Sequence, residues 1–524
     1  MKRAGAWFSR LLRPDMELHR LFLGLSLGFG CLFVFLIPPF QSPDEPNHLL
    51  RAYQVSEGGF FPENTDHRLG GTLPVSLAAV RDSFLYLKMN YAARTGRDAI
   101  FRNLQTPLEP ARRAFLDFPN TAVYAPTAYL PQAGAIALLR PLGATPLQLL
   151  YAARLANLLV WILLIGVAIR LLPFLKNAVT ALALLPASLV MAASANADVV
   201  TNGLCWWLVA SFLSSGQAVT PSRRLTGLFK QALTVVIVCA NKLITLPLVL
   251  VYWCDPTPGP SPEGRGDLTP GVSPEAGGSV APNPSPARRG DIAPGVSPET
   301  GGSVAPLPSG EGPGVGSHHF AILLFLALIA ALTWSIFAQN HFIPYDQYNP
   351  VFRNAQTLNE GVDPARQQAF MLEHPLFFAK TALVSMVRAL PSMSAHFAGK
   401  FGWEKNYLCA GWLVLLWLLL AALLSSEKNP LSGWQRLWAG TAVFGYAGLF
   451  AVTMYALWNP VGAGEISNFQ GRYFVPVAVV AALALGNGAL SRYRRAIGWV
   501  ALLILFLANM AMACAIVKRY YAAL

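Results

Sequence analysis

Between Pro38 and Gln54 the chain gathers two carboxylates, an imidazole and a guanidinium into eight residues: Asp44, Glu45, His48 and Arg51. A carboxylate so placed can take a proton from a hydroxyl, and a guanidinium can grip a pair of anionic oxygens. Pro46 suits the first turn of a helix and Asp44 or Glu45 suits its cap. The spacing therefore predicts a helix from about Pro46 to Glu57 with Asp44, His48 and Arg51 on one face at i, i+4 and i+7. A capped interfacial helix whose charges only face water has the same spacing. Four more polar spots stand at the boundaries of apolar runs: Arg154, Asn196-Ala197-Asp198, Asn241-Lys242 and Gln470-Gly471-Arg472-Tyr473. Tyr124 to Gln132 adds aromatic and amide groups suited to a membrane interface.

The elements that position these residues must be membrane helices. Of 524 residues 54% are hydrophobic and 12% charged, with mean hydropathy +0.44, against about 25% charged in a typical soluble domain. The composition predicts an all-α polytopic membrane protein. Its net charge of +13 is spread over short connectors rather than one stripe, which reports topology and excludes a nucleic-acid partner. The six cysteines form no C-x-x-C pair, so neither a disulfide framework nor a zinc site is indicated.

Basic residues precede an apolar run at 21–37, predicting a retained first span with a cytoplasmic N-terminus and the Asp44 loop outside. Residues 39–147 read as a large first periplasmic loop with helices lying on the membrane. Apolar runs follow at about 150–169, 177–193, 199–214, 227–240 and 243–253. Arg170 and Lys176 put one connector inside and Arg223, Arg224 and Lys230 another, which leaves Asp198 and Lys242 on the outer side. A lysine at the outer turn of two short spans marks a pathway or a site, because charge at membrane depth is costly. Residues 255–317 are rich in Pro, Gly and Ser, and Gly271 to Glu275 nearly repeats as Gly295 to Glu299. This predicts a disordered cytoplasmic insertion without catalytic role between an N-terminal half, 1–254, and a C-terminal half, 318–524. In the latter a span at 320–338 leads to a second periplasmic segment, 340–406. There the 376–395 stretch, carrying Lys380 and Arg388, reads as an interfacial amphipathic helix. Runs at 407–424, 436–457, 474–489 and 496–517 bring the expected spans to eleven, within a range of 10 to 13.

All the polar boundary spots then fall on one side and can converge on one outward cavity. A solute carrier would place its site near the midplane between repeated halves, and no such repeat is visible. Fixed cations beside carboxylates suit transfer of a sugar from a lipid phosphate: Arg or Lys stabilises the departing phosphate, and a carboxylate takes the acceptor's proton. One base suffices for a direct inverting displacement, and no Gly-rich nucleotide loop is present. The candidate catalytic residues are Asp44, Glu45 and Asp198, with Asp44 and Glu45 competing as base. The candidate binding residues are His48, Arg51, Tyr124, Asn196, Lys242, Gln470, Arg472 and Tyr473. Asp44, Glu45 and Asp198 offer oxygen ligands for a divalent cation but no complete set, so no cofactor is expected. The expected partners are a polyprenyl-phosphate sugar, a glycan or lipid acceptor and membrane lipids. The alternatives are a surface-polysaccharide polymerase or ligase, a transporter or flippase of envelope precursors, and a catalytically silent assembly factor.

The same motifs carry a family likeness. Pro43-Asp44-Glu45-Pro46-Asn47-His48 with Arg51-Ala52-Tyr53-Gln54, Tyr124-Ala125-Pro126 with Tyr129-Leu130-Pro131-Gln132, Leu185-Pro186 with Ser194 to Asp198, Lys242, Phe401-Gly402-Trp403, and Gln470 to Pro476 occur in this order. By them the chain resembles the bacterial membrane-protein family called domain of unknown function 2142, over nearly its whole length outside 255–317. That family in turn resembles the C-type glycosyltransferase fold of protein mannosyltransferases and aminoarabinose transferases. The likeness implies that Asp44 is the catalytic acidic residue of the first outer loop and Asp198 the acidic residue of the next.

Overall fold

The structure, a computed structural model, describes residues 18–214, 221–254, 313–355, 360–403 and 406–521. Met1–Pro256 and His319–Leu524 pack as one compact unit, and Thr257–His318 falls in a second. Most of the expected insertion, residues 255–312, lies outside the described residues, as do residues 1–17 and the side chains of Arg223 and Arg224.

The described chain is mostly helical. Six of its helices are long and apolar enough to cross a membrane: Leu18–Leu36, Pro146–Leu171, Ser317–His341, Pro375–Gly399, Gly433–Trp458 and Ser491–Tyr520. The protein is thus a multi-pass membrane protein. The other apolar runs form shorter pieces. The 177–193 run splits into Lys176–Ala183 and Pro186–Ala192, because Pro186 has no N–H to continue the first helix. The 243–253 run is a tight 3-10 helix, Leu243–Cys254, with Pro247 inside it. The 474–489 run keeps only the helix Ala478–Leu485.

Two expectations need correction. The 376–395 stretch, expected as an interfacial amphipathic helix, is part of one 25-residue helix, Pro375–Gly399, long and apolar enough to cross a membrane. Its polar residues Thr381, Ser385, Arg388, Ser392 and His396 recur at helical spacing along one face. Leu383, Val384, Val387 and Leu390 stand exposed, so an apolar stripe is available to lipid although the helix carries charge. The all-α expectation also omits a sheet. In the first loop β1 (Glu63–Thr65), β2 (Arg68–Pro74) and β3 (Arg113–Asp117) pair antiparallel in that order. Asp66 and His67 turn the hairpin with φ of 52° and 53°, the conformation a two-residue hairpin turn requires at both positions. The strands lack alternating β-branched residues, so no period-2 signal marks them.

The first loop is a small domain with its own core, in which Phe40, Leu49, Tyr53, Leu69, Leu73, Phe84 and Phe118 are buried. It rests on Leu147, Leu150 and Ala153 at the start of Pro146–Leu171. Tyr348 fastens the later segment to it: its hydroxyl accepts from the Leu69 amide at 3.1 Å and donates to Asp117 at 2.6 Å. Connectors assigned to the opposite membrane side meet away from this domain. There Glu427 accepts from the Ala178 amide at 2.9 Å and lies 3.7 Å from Arg494.

Candidate functional site

The helix expected from Pro46 forms over Glu45–Ser56, with Pro46 in its first turn. Its two leading carboxylates point apart. Glu45 is fully buried and accepts from Arg154 Nε at 2.8 Å and Nη2 at 2.6 Å, and from the Ala195 amide at 3.0 Å. Arg154 spends its remaining donors on the carbonyls of Val34, Ile37 and Pro38, where the first span ends. The pair therefore ties the end of the first span, the Glu45 helix, Pro146–Leu171 and the Ser194–Ala197 turn into one junction. Glu45 does not line the cavity described below.

Asp44 occupies the cap position but makes no side-chain cap bond. Its φ of 61° is a left-handed conformation, which short polar residues tolerate best among those with a Cβ. In this conformation its carboxylate reaches Arg472 Nη2 at 2.8 Å, while Asn120 Nδ2 approaches at 3.4 Å. Burial opposes its charge, but the Arg472 guanidinium and His48 outweigh burial and hold the carboxyl below the usual carboxylate range.

A second carboxylate–cation pair stands beside the first. Asn196 caps the helix Asp198–Ser214 by accepting from the amides of Asp198 at 2.9 Å and Val199 at 3.2 Å. Its own carbonyl is held by Gln132 and Asn157. Asp198 takes Lys242 Nζ at 2.6 Å. The ring of Tyr473 joins the pairs, with Lys242 at 4.9 Å and Arg472 at 5.1 Å from its centroid. The turn Gly471–Phe474 is fixed from both sides: Tyr446 donates to the Tyr473 carbonyl and Trp206 to that of Val475. Gly471 admits no side chain, because a Cβ there would overlap the Met393 carbonyl oxygen of the helix Pro375–Gly399.

Asp44, Gln470, Arg472 and Tyr473 line one wall of a cavity of about 700 Å³. Among the described residues, Nε of Arg472 and Oε1 of Gln470 are buried there without a hydrogen-bond partner. His48 and Tyr124 pack behind this wall. His48 bonds the Tyr129 hydroxyl at 2.7 Å, and burial, reinforced by Arg472 and Lys242 against Asp44 and Asp198, pushes its pKa down to about 4. Arg51 does not share a face with Asp44 at the cavity: it is fully buried and clamps Gln54 and the carbonyls of Gly59, Phe60 and Tyr124. The reason is that the first-loop core surrounds this helix on several sides. Asn196 acts through its cap and does not line the cavity.

The cavity is also lined by residues absent from the candidate set: Lys88, Arg388, His396, Lys400, Trp403, Tyr407 and Glu465. His396 Nε2 lies 2.6 Å from the Tyr407 hydroxyl and 3.3 Å from Lys400 Nζ, and Lys88 sits 4.2 Å over the Trp403 ring. The available signal was a histidine and an arginine on an otherwise apolar stretch. Among the described residues no group of three or more His, Cys, Asp or Glu could hold a metal ion.

The sequence matches, over residues 27–481, the family described as "Predicted membrane protein (DUF2142)". No curated protein matches the chain, and no solved structure does.

Proposed function

We propose that this chain, which belongs to the DUF2142 family of predicted membrane proteins, transfers a sugar from a polyprenyl-phosphate donor to a glycan or lipid acceptor on the periplasmic face. The observation that carries the reading is the meeting of Asp44·Arg472 and Asp198·Lys242 around Tyr473, of which Asp44, Arg472 and Tyr473 line a cavity large enough for a sugar phosphate and an acceptor sugar. The resemblance to C-type glycosyltransferases points to the same two carboxylates.

In this reading Arg472 takes the donor phosphate through its unpartnered Nε side, and Lys242 adds a point charge. Asp44 is a weak base while Arg472 holds it. When the phosphate draws the guanidinium away, burial is left to raise the carboxyl's proton affinity, so donor binding prepares the base. Asp44 then takes the acceptor hydroxyl's proton as that oxygen bonds the anomeric carbon. The bond from anomeric carbon to phosphate oxygen breaks, and its electron pair leaves with the lipid phosphate, where the cations stabilise it. Asp198 keeps Lys242 in place, and Glu45 supports the junction without touching substrate.

The test is mass spectrometry of lipid-linked and surface glycans from a deletion strain carrying either the wild-type gene or Asp44→Asn. A transferase loses one sugar from the glycan in both the deletion and the variant. Wild-type glycans from Asp44→Asn would overturn the reading, and accumulation of a long lipid-linked glycan would move it to a polymerase.

A further inference from the structure

The cavity carries more positive charge than one lipid monophosphate needs. Arg388 and Lys88 face it together with Arg472, Lys400 lines it as well, and the carboxylates in its lining are those of Asp44 and Glu465. Asp44 is committed to Arg472. Among the described residues no carboxylate pairs with Arg388 or Lys88. Arg388 lies within a helix long and apolar enough to cross a membrane, where an arginine without a counter-ion is costly and marks a site. Farther along the same helix the Nδ1 atom of His396 is buried with no hydrogen-bond partner. The close packing of Gly471 on Met393 brings the turn that carries Arg472 onto the helix that carries Arg388 and His396, and all three side chains line the same cavity.

We infer that Arg388, with Lys88, Lys400 and His396, forms a second anion subsite in the cavity, and that one of the two substrates carries a further anionic group beyond the phosphate held by Arg472. Its chemistry is a phosphoryl or carboxylate group at the sugar end of the ligand. It has two sources: the second phosphate of a lipid diphosphate donor, or an acidic sugar of the acceptor. Trp403 and Tyr407 beside these cations give sugar rings a stacking surface. The inference rests on the transferase reading for the first phosphate and adds the charge class of the ligand.

The test uses the full-length chain in lipid nanodiscs, titrated with a polyprenyl monophosphate, the diphosphate of the same prenyl length, and a lipid-free trigalacturonate with a neutral trisaccharide as its control. Wild type should bind the diphosphate about tenfold tighter than the monophosphate, or the trigalacturonate about tenfold tighter than the neutral control, as one charge-assisted hydrogen bond provides. The preferred ligand identifies the source. Arg388→Gln should remove that preference while monophosphate affinity stays within about twofold, and Arg388→Lys should restore part of it. Absence of either preference in wild type, or its persistence in Arg388→Gln, overturns the second subsite. Failure of the monophosphate alone to bind, with either preference intact, would instead sink the assignment of Arg472 as the lipid-phosphate seat.

Discussion

Glu45→Gln and Asp44→Asn change neighbouring carboxylates by the same few atoms, yet the structure predicts opposite outcomes. Glu45 and Arg154 are both fully buried, and the carboxylate accepts three hydrogen bonds through its two oxygens. An amide leaves the guanidinium without a counter-ion and turns one acceptor into a donor facing other donors. Breaking a buried pair in this way costs about 3–5 kcal/mol. The Asp44 pair is partly exposed, at 24% for the carboxylate and 19% for the guanidinium, so its loss costs about 1 kcal/mol or less. Asparagine also tolerates the left-handed backbone at position 44. Glu45→Gln should therefore lower the amount and heat resistance of monodisperse protein in detergent size exclusion. Asp44→Asn should match wild type in that assay while losing about 10²–10⁴-fold in turnover. A Glu45→Gln protein as heat-resistant as wild type but inactive would refute the structural role and return Glu45 to the chemistry.

Gly471→Ala would set a Cβ against the Met393 backbone and should cost about 3 kcal/mol or more, lowering the amount of monodisperse protein and moving Arg472 off Asp44; a wild-type protein level with unchanged polyprenyl-phosphate binding would contradict the packing at this turn. Single cysteines at Asn64 and Ser467, with exposed Cys409 and Cys514 first replaced by serine, should both react with an impermeant thiol reagent in intact cells, and labelling only after lysis at either would break the shared outer face. Because His48 has its pKa pushed down to about 4 in the folded protein, the unfolded chain binds a proton between the ordinary value near 6.5 and about 4 that the folded chain refuses. Stability should then fall by up to about 3 kcal/mol as pH drops through that window. His48→Gln should flatten this loss, and the same acid sensitivity in that variant would reject the assignment.

The membrane class, the approximate start of the Glu45 helix and the grouping of Asp44, Gln470, Arg472 and Tyr473 were legible in the sequence. Mean hydropathy and the alternation of basic connectors act locally, and a topology follows from them without contacts. The first-loop sheet was not legible, because short strands of Glu, Asn, Gly and Arg are held by pairing and by Tyr348 rather than by an apolar alternation. The reach of the helix Pro375–Gly399 was not legible for a related reason. Lys380 and Arg388 count against a span in any window, and only packing shows that the polar face is turned to a cavity.

Which acidic residue faces that cavity was also a tertiary decision. Successive residues at a helix start differ in direction by about 100°, so Asp44 and Glu45 are indistinguishable until their partners are in place. Those partners are remote: Arg154 lies 109 positions from Glu45, and Arg472 lies 428 from Asp44. From the sequence alone it follows that ionisable groups gather at the ends of apolar runs, because burying charge without partners is costly. The packed chain was needed to show that Glu45 and Arg51 brace the scaffold, that Asp44 and Arg472 meet at the cavity, and that Arg388 and His396 also line it. Each of those roles depends on which distant group satisfies the charge, and local spacing carries no record of that choice.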